Sequence, residues 1–263
     1  MEKIYKYPRT KHIKGSCIQK GDEDLNTVDF DSIKDQHIVI EEKVDGANCG
    51  ISFDEKSKMY LQSRGHFLVG GYGERQFDLF KTWANSHKHA LYQLLGHRYI
   101  LYGEWLYAKH TVYYDQLSHY FMEFDIYDKE QQMFLSTRQR KEMLKSYKFI
   151  VSVLVLFEGK VSQFKDVIKY LTRSNFKSLN WLKQLENSCG QLRVPYELTK
   201  KQTDLSQEME GLYIKMENEE EVLERCKYVR QSFTNTILDS ETHWINRPII
   251  PNQLREGVDI FKG

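Results

Sequence analysis

Apolar residues in this chain fall into short blocks, and most blocks are too short for helices. Ile38, Val39 and Ile40 form a β-branched run of the kind that packs on a pleated surface, which predicts a strand. Asp45-Gly46 predicts a tight reversal, because glycine takes positive φ without penalty, and Cys49 to Phe53 predicts a second strand at once after it. Together they predict a hairpin with Lys43 beside its turn. Further strands are expected over Lys58 to Ser63, Tyr99 to Trp105, Tyr120 to Tyr127, Val151 to Phe157, Gly211 to Met216 and Cys226 to Val229. Residues 1–36 are polar and turn-rich, with Gly15-Ser16 and Gly21-Asp22-Glu23-Asp24, and read as a short lead-in strand and a loop.

Other blocks repeat with a helical period. Phe77, Phe80 and Ala84 predict an amphipathic helix over Glu74 to Ser86. Ala90, Leu91, Leu94 and Leu95 predict a second, closed by Gly96. Ser136 or Thr137 caps a third that runs to about Tyr147. Val161 to Leu171 and Leu179 to Leu185 carry the same period, and Glu219 to Arg225 reads as a short charged helix. Arg64-Gly65 with Gly70, Gly71 and Gly73 reads as a flexible loop. The chain has no internal repeat and no regular alternation of strand and helix. That predicts an α+β fold with mostly antiparallel sheets. Residues 1–235 are expected to form one domain. Residues 236–263, with Pro248, Pro251 and a Trp244 anchor, are expected to be a short extension packed on it.

Composition narrows the class. With 263 residues, 40% hydrophobic and 29% charged, the chain resembles an ordinary globular protein. It has no apolar run near the length that spans a bilayer and no apolar core of a signal peptide, so no membrane partner is expected. The four cysteines are scattered without a CxxC pair, which argues against zinc or a disulfide framework and for a reducing cytoplasm. Net charge is +1, so nucleic-acid contact must come from a local basic surface. His87, His89, His110 and His119 lack carboxylate or cysteine partners at metal-binding spacing and read as surface residues or supports behind a site. The acidic run Glu217 to Glu221 reads as a solvated helix start.

Lys43 is the odd residue. A lysine beside a hairpin turn either guards a sheet edge or has an amine with chemistry to perform. Lys43-Val44-Asp45-Gly46 matches the KxDG signature of the covalent nucleotidyltransferases, the superfamily of ATP-dependent DNA ligases, RNA ligases and mRNA capping enzymes. Other stretches resemble the superfamily's motifs in the same order. They are Ser63-Arg64-Gly65, Tyr102-Gly103-Glu104-Trp105, Phe121 to Tyr127, Glu210 to Lys215 (EGLYIK) and Lys227-Tyr228-Val229-Arg230. Asn48 after the turn makes the chain resemble most the nick-sealing RNA ligases of the phage RNA ligase 2 type. The resemblance implies a nucleotidyltransferase (adenylation) domain, with antiparallel sheets flanked by helices around an ATP pocket.

The resemblance also implies an activity: lysyl-AMP forms from ATP, AMP passes to a 5′-phosphate end, and a 3′-hydroxyl seals the strand. Lys43 would accept AMP. Arg64 and Asn48 would hold the phosphate or the reacting 3′ end. Glu104 would bind the ribose hydroxyls, and Glu41 or the Glu42 backbone would read the adenine amino group. Phe124 would stack on adenine; strand alternation puts it opposite Phe121 and Tyr127, so only one of these sets can face the pocket. Glu210 would bind Mg²⁺, or Mn²⁺, through water. Lys215, Lys227 and Arg230 would neutralise the triphosphate. Some relatives space two lysines in the last motif by one residue; Val229 stands there instead, so Arg230 takes the second role. The implied partners are RNA with 5′-phosphate and 3′-hydroxyl ends and an end-healing enzyme. The stretch from Ser232 to Gly263 fits neither the OB-fold domain of DNA ligases and capping enzymes nor the helical domain of the phage-type RNA ligases, so a nearly minimal domain is expected. A DNA nick ligase, a GTP-using guanylyltransferase and a non-catalytic RNA-binding or nucleotide-sensing domain are the alternatives.

The lysine must lose its proton to attack phosphorus, yet alternation puts Glu41 and Asp45 on its own face, and carboxylates raise its pKa. Metal, nucleotide and the distant basic residues are expected to reverse that.

Overall fold

In the computed structural model, residues 3–18, 22–239 and 247–262 are described. The strands in chain order are β1 (Lys11–His12), β2 (Ile38–Lys43), β3 (Ala47–Phe53), β4 (Met59–Ser63), β5 (Tyr99–Trp105), β6 (Phe121–Asp128), β7 (Met133–Phe134), β8 (Val151–Ser152), β9 (Val155–Gly159), β10 (Gly211–Glu217) and β11 (Val222–Val229). The α-helices are α1 (Asp78–Ser86), α2 (Lys88–Leu95), α3 (Thr137–Leu144), α4 (Phe164–Ile168), α5 (Trp181–Leu192), α6 (Tyr196–Lys201) and α7 (Gln231–Asp239). One sheet runs β1-β11-β10-β2-β9 and the other β4-β3-β5-β6-β7, with β8 beside β6. Only the short β1–β11 and β6–β8 pairs are parallel among the described strands. The fold is α+β with mostly antiparallel sheets.

The expected hairpin at Lys43 does not form. β2 pairs with β10 and β9, whereas β3 pairs with β4 and β5, so Val44 to Gly46 carry the chain from one sheet to the other. Gly46 is not among the residues with positive φ. It is needed because a Cβ there would lie 2.6 Å from the Trp105 carbonyl oxygen. The apolar block Val151 to Phe157 is likewise not one strand: β8 stays in the second sheet, and β9 joins the first. Both divisions follow from burial. Val44 and Val153 pack with Met122, Phe176 and Val229 in an apolar layer between the sheets.

A second correction concerns Glu219 to Arg225. The charges suggest a helix, but Val222 to Val229 is a strand whose backbone completes the β10 ladder. Glu217 is buried, not solvated; its carboxylate accepts the Thr137 N–H and hydroxyl and so caps α3, alongside the Ser136 N-cap. The Glu74–Ser86 helix begins as a 3-10 turn over Tyr72–Phe77. The Val161–Leu171 helix shortens to α4, the Leu179 helix shifts to α5, and α6 and α7 carry no sequence signal strong enough to predict them.

The largest core lies between the second sheet and α1 and α2, around Phe80, Trp83, Trp105 and Phe121. His119 is buried, with Nδ1 against the Phe121 backbone, and His110 is also buried, so neither lies on the surface. Residues 247–262 pack on the 106–117 segment: the Asn252 side chain accepts the Tyr114 N–H and donates to the Leu106 carbonyl. Trp244 and Gly21 lie outside the described residues. Among the described residues the four cysteines are free, no cluster of three or more metal-binding side chains is present, and no helix is long and apolar enough to cross a membrane.

Candidate active site

The two sheets diverge beyond Lys43, and the space between them is a cavity of about 380 Å³. Lys43 lines it at the last position of β2, opposite Gly211 of β10. The residue before Gly211 is Glu210, so this register sets its carboxylate 2.8 Å from the Lys43 ammonium. Gly211 is obligatory there, because a Cβ would lie 2.0 Å from the Tyr228 carbonyl oxygen.

Asn48 and Glu104 face each other across β3 and β5, and both line the cavity. The Asn48 Oδ1 is buried with no hydrogen-bond partner. Glu104 accepts the Gly46 N–H at 3.2 Å, and burial pushes its carboxyl up to about 7 against the opposing pull of Lys43 and Arg64. Arg64 stands exposed at the rim. Asp45 turns into the 106–117 segment, where its carboxylate accepts the Thr111 and Val112 N–H groups at 2.7 Å each.

Burial alone would lower the Lys43 pKa, but Glu210, Glu104 and Asp45 together hold it above the ordinary lysine value. The direction agrees with the expectation from the sequence, and so does the part played by Asp45; the larger contributions come from Glu210 and Glu104, not Glu41. Glu41 is not among the main causes, because its charge is already paired. A β-bulge separates Ile40 from Glu41 in the β2–β9 pair, and the Glu41 carboxylate is bound by Arg140 and Lys215. The Glu42 carboxylate accepts from Ser174 and Asn175. Both residues still line the cavity.

The aromatic wall resolves the choice among three residues. Tyr102 pairs with Asp125 and Gly103 with Glu123, so Phe124 is the extra residue of a β-bulge, a device that re-aims a side chain. Phe124 lines the cavity, Phe121 is in the large core, and Tyr127 is in a small cluster with Tyr7 and Phe134. Tyr213 faces Phe124 with ring centroids 6.5 Å apart and planes 28° from parallel. The N-terminal segment closes this end. The Tyr7 hydroxyl donates to Asp125 at 2.6 Å, and the Tyr213 hydroxyl lies within hydrogen-bond distance of both Tyr7 and Thr10. Because the Tyr7 proton is committed to Asp125, Tyr213 donates to Tyr7 and Thr10 donates to Tyr213. Thr10 therefore offers lone pairs to the cavity it lines.

Two of the expected phosphate-binding residues are elsewhere. Lys215 is fully buried, with its ammonium between Glu41, Asp125 and the Phe124 carbonyl, behind the aromatic wall. Arg230 is buried against Asp204, the Met209 carbonyl and Ser232, and does not line the cavity. Lys227 does line it, with its ammonium 2.5 Å from Asp22; burial, then Lys43, lowers its pKa. The cation one residue from Lys227 is Arg225, on the same face of β11, its guanidinium 3.6 Å from Asp125 and 3.8 Å from the Phe134 ring centroid. That single-residue spacing was visible, but an expected helix at 219–225 hid it. Arg9, paired with Asp22 and Asp24, also lines the cavity; the basic run Tyr7 to His12 marks it only as a candidate phosphate contact, not as part of a pocket.

The donor set suits a hard divalent cation. Glu210 and Glu104 supply carboxylate oxygens beside Lys43, and burial raises the proton affinity of both. Mg²⁺ is commonly held by one or two carboxylates with waters and phosphates. Protonated Lys43 is unreactive, and its raised pKa shrinks the neutral fraction. Covalent labelling of Lys43 is therefore expected to rise about tenfold per pH unit through the neutral range, and Glu210→Gln to shift that limb to lower pH. A flat profile, or full labelling without divalent metal, would contradict this balance of charges.

The RNA ligase family model matches residues 36–229. Among solved structures, a variant of an RNA ligase from Naegleria gruberi with ATP and Mn matches with TM-score 0.52 at 16% identity, over 80% of this chain and 53% of that one. An apo variant matches with TM-score 0.53 at 14% identity, over 90% and 65%. At these identities the likeness shows the fold, and the chain spans about half the length of the first of these relatives. No curated protein matches.

Proposed function

Because this chain belongs to the RNA ligase family, we propose that it is an ATP-dependent RNA ligase in which Lys43 carries AMP. The carrying observation is the Lys43 amine in a cavity lined by the aromatic rings of Phe124 and Tyr213 and by Glu104 and Lys227, with Glu210, behind that lining, 2.8 Å from the amine. In the first step the neutral amine attacks the α-phosphorus of ATP. The N–P bond forms, the bond to pyrophosphate breaks, and the amine gives up a proton. In the second, a 5′-phosphate oxygen of RNA takes the AMP, and Lys43 recovers its proton. In the third, a 3′-hydroxyl attacks the activated 5′-phosphate and AMP leaves. Such phosphoryl chemistry rests on positioning and charge.

Phe124 and Tyr213 bind the base, at roughly 1–3 kcal/mol per stacked contact. The hydroxyl relay from Asp125 makes Thr10 an acceptor, which suits the amino group of adenine and not the carbonyl of guanine. Glu104 orients the ribose, and Asn48 and Arg64 hold the phosphate or the 3′ end. Lys227 and Arg9 exchange their contacts with Asp22 for the triphosphate. Mg²⁺ or Mn²⁺ held through Glu210 supplies charge that offsets the phosphates and the carboxylates around Lys43. The solved relative with ATP and Mn supports this choice of nucleotide and metal. RNA broken in the cytoplasm and healed to 5′-phosphate and 3′-hydroxyl ends by another enzyme is the proposed substrate.

The test is incubation with α-labelled ATP or GTP and Mg²⁺, then denaturing electrophoresis. Label from ATP is expected to stay on the protein, and adding RNA with a 5′-phosphate nick to chase it into sealed strands. No label from either nucleotide would defeat the reading; sealing of nicked DNA alone would move the substrate to DNA.

A further inference from the structure

The crossing from β8 to β9 opens a second cavity, of about 440 Å³, within the range of small-ligand sites. Val153 lines both cavities, so the two are neighbours across one residue. Val153, Leu154, Val155 and Phe176 give the second cavity an apolar wall. Its charged lining is Arg140, Lys141 and Arg255, and among the described residues no Asp or Glu lines it.

The polar groups are fixed in advance. Arg140 is 2% exposed; its terminal nitrogens are bound by Glu123 and Glu41, and its Nε is buried with no hydrogen-bond partner. Arg255 donates its Nε and one terminal nitrogen to the Gln116 and Asn175 carbonyls, which holds the guanidinium at the rim while part of its fork stays available. Lys141 is exposed at the same rim, 3.6 Å from Glu158. The wall between the cavities is also wired across: Arg140 bonds Glu41, and Asn175 bonds Glu42, and both carboxylate residues line the nucleotide cavity.

An apolar slot with a cationic rim and no acid among its described lining residues fits a base carrying a phosphate. We infer that this cavity seats one nucleotide of the RNA strand to be sealed, next to the end held at Lys43. The base lies against Val153, Leu154 and Phe176, the Arg140 Nε donates to an acceptor on its edge, and the phosphate meets Lys141 and Arg255. This rests on the ligase reading for its choice of RNA. The contacts across the wall then link strand binding to the nucleotide cavity through Glu41 and Glu42.

The test is the double variant Lys141→Glu with Arg255→Glu, both surface positions outside the nucleotide cavity. Labelling by ATP is expected to be unchanged, which also reports an intact fold. The affinity for a 5′-phosphorylated RNA oligomer, read by fluorescence anisotropy, is expected to fall about tenfold or more, and the dependence of log K on log salt to flatten by about one to two. Lys141→Arg is expected to keep wild-type affinity. Unchanged RNA affinity with normal labelling would overturn the inference and leave the ligase reading standing. Wild-type protein that takes no label would defeat the ligase reading, while the anisotropy measurement still decides the cavity. Equal competition by inorganic phosphate at the RNA's own affinity would reduce the cavity to an anion site and also overturn the inference.

Discussion

Lys43→Ala is expected to retain no AMP after incubation with α-labelled ATP and metal, a loss of roughly 10⁴–10⁶-fold in labelling rate, in line with removal of an enzymatic nucleophile. The size of the effect follows from the geometry. Lys227 is the other amine lining the cavity, but its ammonium faces Asp22 and not the bottom of β2. Among the described residues no second amine stands where the α-phosphate would meet Lys43. The substitution also strips a buried carboxylate of its partner at 2.8 Å, which costs about 1–3 kcal/mol. Lys43→Arg separates the two effects, because it keeps a cation beside Glu210 and lacks a usable nucleophile. Both variants are expected to give folded protein by circular dichroism. Label on either at more than about one part in a hundred of wild type would place the nucleophile elsewhere.

The second large effect concerns a lysine that the family resemblance assigns to the triphosphate. Lys215→Met is expected to destabilise the protein by about 3–5 kcal/mol, because it leaves the Glu41 and Asp125 carboxylates in the interior without their shared cation. The residues on either side of this network, Arg140 and Arg225, each approach only one of those two carboxylates in the described ion pairs, so they do not replace it. For a chain of this size the loss reads as a fall in melting temperature of roughly 10 °C. Phe124 should suffer too, because the Lys215 ammonium donates to its carbonyl at the bulge that turns its ring into the cavity. A Lys215→Met protein of wild-type melting temperature with weakened ATP binding would restore the triphosphate role.

Lys215 also shows where reading the sequence stops. The strand over Gly211 to Met216 is evident from its apolar pattern, and Lys43, Asn48, Arg64, Glu104, Phe124 and Lys227 do come to one cavity. Their motifs are local, and local spacing survives folding. Which sheet a strand joins is not local. Lys43 to Ala47 holds every signal for a hairpin, yet the buried faces of β2 and β3 belong to different cores, with Ile38 and Ile40 in one and Cys49, Ile51 and Phe53 in another. Turn chemistry allows a reversal, and burial decides against it. Glu219 to Arg225 fails for a related reason: its charges suggest a solvated helix, yet Arg225 is turned inward to Asp125, and the partner β10 settles the matter. For Tyr7, Arg9 and Thr10 a basic segment suggests at most a phosphate contact, because nothing in it says that it will lie across Tyr213 and Asp125.

The two sheets also differ in when they can exist. Every strand of the second lies between Ala47 and Ser152, so a chain emerging in order from its N-terminus can complete that sheet early, from contacts close in sequence. The first sheet draws β1 and β2 from one end of the chain and β10 and β11 from the other. Until Gly211 to Val229 has been made, Lys43 has no Glu210 beside it and Phe124 has no ring opposite. A half-made chain therefore holds a nearly finished sheet and an edge strand, Ile38–Lys43, with an apolar face waiting for its partner. Synthesis that stalls between Ser152 and Gly211 leaves that edge open to pairing with another chain, and ATP cannot rescue it because the site it would bind is not yet there.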